Sequence, residues 1–280
     1  MPLTTVTFAC TTSPAQARDW VAPLIAREPL WLSVIASNIK ALIADPTRYD
    51  SPRWWVARDK EAAVVAAFMH TPPHPLHIGL ATPEQARDLA TVLASQGDAL
   101  PGVGGVRAPA EAFAAEWTTS ASTVRTVMEL GVYDLPRRPT LPFAVPGRYR
   151  RARPSDVDLT DGWARDFHHA VATAGSPVST MGHIEAGRLG LWEDKSGEPV
   201  SMAYASVPAG GVTRVSGVWT PPEQRAHGYA SAVVAALSDE RMADGEACML
   251  YTDLGNPTSN GIYRALGYRR IGDSVTLAFG

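Results

Sequence analysis

The sequence has few cysteines, no strong excess of either charge and no apolar run approaching the ~18 residues that a membrane-spanning helix requires. Its two cysteines, Cys10 and Cys248, lie far apart in a chain of 280 residues, which favours free thiols in a reducing compartment over a disulfide framework. The formal net charge of −3 argues against binding nucleic acid through phosphate neutralisation. The N-terminal 16 residues carry no basic residue ahead of their short apolar stretch, unlike a secretory signal. We expect a cytoplasmic protein with no membrane or nucleic-acid partner.

Length and composition instead indicate two globular domains. Apolar residues make up 45% of the chain and charged residues only 19%, so there is material for a substantial core. Five prolines are interleaved with basic residues over 135–154, and repeated prolines break both helices and strands. We therefore expect a first domain at 1–135, a proline-rich linker at 136–146 and a second domain at 147–280.

The two halves share a pattern. A predicted hairpin at 54–68 is followed by an apolar segment ending at Thr82-Pro83, and a predicted hairpin at 191–204 is followed by one ending at Thr220-Pro221. An amphipathic helical pattern follows each Thr-Pro pair. Such internal repetition predicts a diverged tandem duplication.

The second half reads as an alternation of strands and helices. The predicted order is a helix at 164–174, strands at 188–192, 200–207 and 213–219, a helix from about 228 to 243, a strand at 247–251, a helix at 257–266 and a closing strand at 275–279. This order predicts an α/β (α+β mixed) fold with a central mixed sheet flanked by helices.

The loop between the strand at 213–219 and the next helix has the features of an anion site. Small residues at Ala226, Gly228 and Ala230 let the backbone approach a ligand closely. The backbone N–H groups that begin a helix lack intrahelical partners and favour phosphate. Arg225, at the mouth of the loop, is suited to pair with a phosphate oxygen.

A second set of residues follows the strand at 247–251. Asn256 and Pro257 are a good N-cap and first residue for a helix. Asn256, Asn260 and Tyr263 are spaced i, i+4, i+7 and so share one helix face. Taken singly, these residues also fit a helix cap and a core tyrosine.

Taken together, the two segments resemble the GNAT superfamily of N-acetyltransferases. The resemblance rests on a strand ending at Val218-Trp219-Thr220, an Arg-x-x-Gly-x-Ala loop at 225–230, and an Asn-to-Tyr helix closed by Gly267-Tyr268. It is strongest over 212–271. The first half lacks the Arg-x-x-Gly-x-Ala pattern, so it resembles a degenerate copy of the same domain, and we expect one working site per chain.

The resemblance implies a binding site for acetyl-CoA as co-substrate. Backbone groups would contact the pantetheine arm, the loop would hold the pyrophosphate, and the helix would contact the arm and the thioester. The residues assigned to these contacts are Val218, Trp219, Thr220, Arg225, Ala226, His227, Gly228, Tyr229, Ala230, Ser231, Asn256, Asn260 and Tyr263.

The implied chemistry is attack of an amine on the thioester carbonyl. A tyrosine stays protonated at neutral pH and can donate to a leaving thiolate, so Tyr263 is the expected general acid. The N–H of Val218 or Trp219 would stabilise the developing oxyanion. For the base we choose Asp253, at the end of its strand, with Glu185, Glu198 or a water chain as alternatives.

These observations predict an acyltransferase: an acetyl-CoA-dependent N-acetyltransferase acting on a primary amine of a small molecule or amino acid derivative. The slight acidity of the chain weakly favours a cationic acceptor. The alternative is a non-catalytic CoA-binding regulatory or scaffold protein. Homodimerisation stays open, and so do acyl groups longer than acetyl. His70, His74 and His77 lie among prolines that prevent a shared helix face, so we expect no metal.

Overall fold

The computed structural model describes residues 6–117, 123–171 and 179–280. The chain divides into two compact units. The first comprises Met1–Val132, Asp253–Gly255 and Gly272–Gly280, and the second comprises Tyr133–Thr252 and Asn256–Ile271. The last strand of the chain therefore contributes most of its residues to the first unit. The boundaries predicted from the proline content, 1–135, 136–146 and 147–280, stay a prediction.

The first unit is a mixed sheet with helices. Its elements are β1 (Thr7–Thr11), α1 (Pro14–Arg27), α2 (Ser33–Ala44), β2 (Arg53–Arg58), β3 (Val64–His70), β4 (Leu76–Leu80), α3 (Pro83–Ser95), β5 (Gly102–Val106), α4 (Arg107–Trp117), most of β6 (Val124–Leu135) and most of β12 (Arg269–Phe279). Strands β1 to β4 pair in sequence as antiparallel neighbours, β4 pairs with β5 in parallel, and β5 pairs with β12 antiparallel.

The two faces of this first sheet pack against different helices. The apolar side chains of β2 point alternately to the two faces, so Trp55 belongs to a core cluster with α3 and α4 while Trp54 belongs to one with α1 and α2. A strand presents successive side chains to opposite faces, and both faces here are covered. This explains why β2 and β3 read as nearly continuous apolar runs.

The second unit repeats the arrangement. Its elements are β7 (Arg148–Arg151), α5 (Val157–Val171), α6 (Met181–Glu185), β8 (Leu189–Glu193), β9 (Pro199–Ala205), β10 (Val212–Trp219), α7 (Tyr229–Ala243), β11 (Ala247–Asp253) and α8 (Pro257–Ala265), with the remaining residues of β6 and β12. Strands β7 to β10 form an antiparallel run, and β10 pairs with β11 in parallel.

Helices cover both faces of the second sheet as well. On one face, Val215, Cys248 and Leu250 pack with residues of α7 and with Tyr263 of α8. On the other, Leu191 and Met202 pack with Ala164 of α5 and Ile184 of α6. The α/β fold with a mixed sheet flanked by helices, predicted for each half, is confirmed.

The element bounds differ from the prediction at several ends. The helix predicted at 164–174 begins at Val157 instead, because a 3-10 turn at Pro154–Asp156 starts it early; its predicted end at 172–174 lies outside the described residues. Strand β7 falls inside the stretch that the prolines predicted to be irregular. The closing strand begins at Arg269, before the predicted position; its first five residues are exposed or half-buried and so lack the apolar run that marked the predicted strand.

Among the residues that the structure describes, no helix has the length and hydrophobicity to cross a bilayer. Within the same residues, no group of three or more His, Cys, Asp or Glu side chains is arranged to hold a metal ion.

Candidate active site

The parallel pair β10 and β11 forms the frame of the site. The register joins Val212–Arg214 to Ala247–Met249. Beyond it β10 continues to Trp219 and β11 to Asp253, and no further register pair joins the two strands among the described residues. Backbone groups in the second half of β10 are therefore available on the side that faces β11, as strand-edge groups are.

A buried ion pair ties the strands together where the ladder is intact. Arg188 donates to both carboxylate oxygens of Glu246, at 2.9 and 2.5 Å, and to Thr213 Oγ1 at 2.6 Å. The side chains of Arg188 and Glu246 are 6% and 11% exposed. Burial favours the protonated carboxyl, but the hydrogen bonds from Arg188 and Thr213 outweigh it and lower the pKa of Glu246. This network fixes β8, β10 and the start of β11 relative to one another.

A β-bulge interrupts the other edge of β10. Ser216 pairs with Tyr204 and Trp219 pairs with Met202 on β9, so Gly217 and Val218 stand opposite the single residue Ala203. Gly217 has a φ of +57°, which glycine adopts without steric penalty. The bulge takes the N–H groups of this segment out of the regular ladder, as bulges near active sites do.

The end of β10 is held in place by side-chain bonds. Ser201 Oγ donates to the Trp219 carbonyl at 3.0 Å and lies 2.8 Å from Thr220 Oγ1. The Thr220 carbonyl accepts from Arg225 Nε at 3.1 Å. Both carbonyls are thus engaged within the protein.

Helix α7 begins without a side-chain cap. Its N-cap is Gly228 in the left-handed region, φ +82°, and no side chain accepts from its first turn. Ala226, two residues earlier, also has a positive φ of 63°. The N–H groups of Tyr229, Ala230 and Ser231 therefore face outward from the helix end without intrahelical partners, and successive N–H groups in such a turn form an anion-binding concavity.

The corresponding helix of the first unit is capped by its own side chains. Thr82 accepts from the Gln85 N–H at 3.3 Å, and Gln85 Oε1 accepts from the Thr82 N–H at 2.8 Å. This reciprocal capping box satisfies the donors that an anion would need. Strand β4 also ends at Leu80, soon after its last pair with β5 at Ile78. The two units differ at the features that would make a CoA site.

The side chains of the loop between β10 and α7 contact residues of that same loop and of its two ends. The Arg225 guanidinium lies 5.2 Å from the centre of the Trp219 ring. His227 Nδ1 lies 3.3 Å from the Gln224 carbonyl, and its ring stacks on Tyr229 at 5.5 Å. These contacts shape the loop and leave its backbone amides as the main anion donors. A Cβ added at Gly228 would lie 2.6 Å from Phe143, so the linker packs against the loop.

Helix α8 places its polar face as its spacing predicts. Asn256 caps the helix by accepting from the Ser259 N–H at 3.0 Å. Asn260 is buried, donates to the Asn256 carbonyl at 2.7 Å and accepts from the Tyr133 hydroxyl at 3.1 Å. One turn further, Tyr263 is 9% exposed. Asn256 and Asn260 thus brace each other.

Burial raises the pKa of Tyr263 to about 12, because the phenolate would be poorly solvated. Its ring contacts Tyr268 edge-to-face at 6.0 Å. Among the described residues its hydroxyl has no hydrogen-bond partner. Tyr263 is therefore a protonated donor at neutral pH, available to an incoming group.

Known proteins with this arrangement support the resemblance. Residues 189–277 match the family model described as FR47-like protein. A GCN5-related N-acetyltransferase from Sphaerobacter thermophilus superposes with a TM-score of 0.64 at 17% identity, covering 98% of this chain and 95% of that one. A GNAT-family acetyltransferase from Colwellia psychrerythraea gives 0.61 at 12%, covering 98% of both.

A tandem GNAT protein from the clavulanic acid biosynthesis pathway also superposes, with a TM-score of 0.50 at 10% identity, over 99% of this chain and 98% of that chain. The chain has a tandem GNAT fold. No curated protein has a matching sequence. The identities to these structures are low, so the shared property is the fold.

Within this GNAT fold the carboxylates chosen as bases lie at exposed positions. Asp253 is the exposed last residue of β11, and its Oδ1 accepts from the Gly255 N–H at 2.8 Å. Glu185 and Glu198 are exposed as well. None of the three lines the cavity described next.

The second GNAT unit contains a cavity of about 260 Å³ lined by His183, Tyr204, Ser206, Arg214, Val215, Ser216 and Tyr251. His183 stacks on Tyr204 with ring centres 4.3 Å apart. Its Nδ1 lies 3.1 Å from the Ala205 carbonyl; since a carbonyl only accepts, Nδ1 carries the proton and Nε2 has the basic lone pair. Burial lowers the pKa of His183, with the Ala205 bond opposing and Arg188 adding to the effect.

No sequence pattern selects His183 as a site residue. It lies on a short helix, outside every GNAT motif, and only the fold brings it beside Tyr204. The one signal in the sequence was an unassigned histidine between two predicted elements, which is too common to indicate a site.

Proposed function

We propose that this protein is an acetyl-CoA-dependent N-acetyltransferase that transfers acetyl directly to a primary amine of a small molecule, with its site in the second unit. The observation that carries the proposal is the N-terminus of α7, which has no side-chain cap and follows β10 through a short loop. The pairing of β10 with β11 stops at Arg214, before that loop begins. The first unit, with a capped α3, would support the fold without binding CoA.

The residues present fit the co-substrate. The backbone N–H groups of 226–231 would bind the pyrophosphate, with the α7 dipole favouring its charge. The N–H and C=O groups of Val218 and the N–H groups of Trp219 and Thr220 would contact the pantetheine arm, since the carbonyls of Trp219 and Thr220 are engaged. Asn256 would contact the same arm from α8, and the buried Asn260, whose amide bonds to the Asn256 carbonyl and the Tyr133 hydroxyl, would hold Asn256 in place.

Acetyl-CoA supplies an activated acyl group, and the chain supplies position and charge. The bulge at Gly217 and Val218 presents an N–H group outside the ladder, which would stabilise negative charge on the carbonyl oxygen. Tyr263 would donate its proton towards the sulfur. Holding amine and thioester together supplies much of the rate enhancement.

His183 is the base that the geometry favours. Its Nε2 is unprotonated at neutral pH because burial and Arg188 keep the imidazole neutral, and the ring lines the cavity beside Ser216. Ser216 directly precedes the bulge. An amine bound in the cavity would therefore lose its proton to His183 next to the strand that positions the thioester.

The test is release of free thiol from acetyl-CoA with a panel of primary amines, comparing the wild type with Tyr263→Phe. The variant is expected to lower kcat about 10²- to 10⁴-fold while changing the Kd of acetyl-CoA less than threefold, because the hydroxyl acts as charge develops on sulfur. Tyr268→Phe is the matched control: it removes a neighbouring buried hydroxyl that is bonded to Ser238 at 2.7 Å.

Binding of acetyl-CoA without thiol release for any amine would instead support a CoA-binding regulatory protein. An unchanged kcat in Tyr263→Phe would remove this residue as the acid.

A further inference from the structure

The cavity lined by His183, Tyr204 and Arg214 carries a positive charge. Its lining combines one guanidinium with imidazole, phenol and hydroxyl groups and, among the described residues, includes no carboxylate. Burial lowers the pKa of Arg214 while Tyr251 opposes this, yet a guanidinium stays charged at any physiological pH. A desolvated cation in a cavity without carboxylates favours an anionic guest over a cationic one.

The position of Arg214 is fixed by its backbone. Its N–H donates to Ser206 Oγ at 3.0 Å and its carbonyl accepts from the Ser206 N–H at 2.9 Å. On the opposite edge it is the last β10 residue registered with β11, opposite Met249. The backbone from which its side chain extends is therefore anchored at the point where the parallel ladder ends.

Arg214 and Ser216 lie on the same face of β10, two residues apart. That spacing corresponds to about 7 Å along a strand. Val215, between them, packs into the core with α7 on the other face. Because Gly217 follows Ser216 directly, the cavity extends along β10 from the guanidinium to the bulge. A small molecule of amino acid size spans such a distance.

We infer that this cavity is the acceptor pocket and that Arg214 binds a carboxylate of the acceptor, which makes the acceptor an amino-carboxylate such as an α-amino acid. The inference rests on the proposed function. The guanidinium would bind both carboxylate oxygens through parallel N–H donors, leaving the amine directed towards His183 and the bulge. This differs from the cationic acceptor that the net charge weakly favoured.

The transfer is balanced without any further reactant. The amine nitrogen forms a bond to the acetyl carbon while the carbon–sulfur bond breaks, and the electron pair of that bond goes to sulfur. The acceptor enters as an ammonium, which gives one proton to His183 and from there to water. As the nitrogen–carbon bond forms, the nitrogen loses a second proton to water, sulfur receives one from Tyr263, and the tyrosine regains a proton from water, so the net reaction releases one proton. The products are an N-acetylamino-carboxylate and CoA thiol.

The experiment compares matched acceptors and matched variants. The acceptors are the standard L-amino acids with β-alanine and 4-aminobutyrate, each paired with its carboxamide, and transfer is followed as thiol release. We expect the best acid to be preferred over its amide about 10- to 100-fold in kcat/KM, the range for a charge-assisted bidentate pair. Arg214→Gln should remove the preference through KM, and Arg214→Lys should restore part of it.

Arg165→Gln is the control, since Arg165 is exposed on α5. Thermal unfolding of each variant checks that it is folded. Equal use of acids and amides by the wild type would overturn the Arg214 inference while leaving the proposed acetyltransferase intact.

Binding measurements distinguish a failure of the proposed acetyltransferase function from a failure of the Arg214 inference. If no amine releases thiol, the proposed function fails, and binding of the same acids and amides is measured by isothermal titration calorimetry. Tighter binding of an acid than its amide, lost in Arg214→Gln, would still support a carboxylate pocket. Absence of that preference in binding would overturn it.

Discussion

The ring of Tyr204 occupies the space that a side chain at Gly217 would need: a Cβ built there would lie 1.8 Å from Tyr204 Cε1. Gly217 also has a φ of +57°, where other residues are strained. The two residues belong to paired strands, and the contact locks Tyr204 against the bulge. The bulge therefore depends on glycine at this position for two independent reasons.

Gly217→Ala is expected to lower the free energy of unfolding by at least about 1–2 kcal/mol and to lower kcat at least about tenfold, because the N–H proposed to face the acyl oxygen would shift. Denaturant unfolding and steady-state thiol release measure the two effects. Gly211→Ala is the control, since Gly211 has a φ of +77° with nothing within 4 Å. Loss of stability without loss of kcat in the folded fraction would show that the bulge only supports the fold.

Gly228→Ala is expected to weaken CoA binding about tenfold or more, because the change strains the turn that exposes the α7 amides and pushes against Phe143. Gly245→Ala is a close control at the other end of the same helix, with the same φ of +82° and nothing within 4 Å. Calorimetric titration with CoA distinguishes the two. Equal affinity for both variants would place the pyrophosphate elsewhere.

His183→Gln is expected to change the pH profile of kcat. The wild type should be active once the imidazole is neutral, and burial lowers its pKa below the usual 6.5, so activity falls only below that pH. Among the described residues, the charged and titratable groups that act on the ring or share its cavity are Arg188, Arg214, Tyr204 and Tyr251. Without the base only the free amine reacts, and the rate should rise tenfold per pH unit between 7 and 9.

His169→Gln, at an exposed position on α5, should keep the wild-type profile. A wild-type profile in His183→Gln would assign the base to another group, Asp253 included.

Glu246→Gln is expected to lower the free energy of unfolding at pH 7 by about 3–5 kcal/mol, because Arg188 would be left buried without its counter-charge. The pKa of Glu246 is lowered in the folded state from 4.5. The contribution of the ionised Glu246 to the free energy of unfolding is therefore fully present above pH 4.5 and is lost as the pH falls through the folded pKa. The difference in free energy of unfolding between the wild type and Glu246→Gln should become smaller as the pH falls, which urea unfolding from pH 7 to pH 3 measures. Glu198→Gln is the control and should have the same free energy of unfolding as the wild type.

Much of the fold was predictable from local signals. Alternating apolar residues and the turn at Ser196-Gly197 predict the β8–β9 hairpin, and Asn256-Pro257 predicts the start of α8. The start of α5 was missed because its first turn mixes apolar and polar residues and because its start depends on Pro154 and on the 2.7 Å bond that the Arg153 N–H donates to Asp156.

For the cofactor side of the candidate site the sequence offers a pattern of small residues, because a loop whose backbone approaches an anion needs them; the assignment of that side stays a prediction. The acceptor side could not, because Arg214, His183 and Tyr204 come from three elements with no shared motif. Only strand register and helix packing bring them to one cavity. Asp253 was favoured by its place at a strand end, a position that does not determine what its side chain contacts.

A crystal structure of the protein with CoA tests the proposed function most directly. We expect the diphosphate on the backbone amides of 226–231 and the sulfur within hydrogen-bond distance of the Tyr263 hydroxyl, with the pantetheine arm along Val218–Thr220. A diphosphate bound away from the N-terminus of α7, or a sulfur remote from Tyr263, would contradict it.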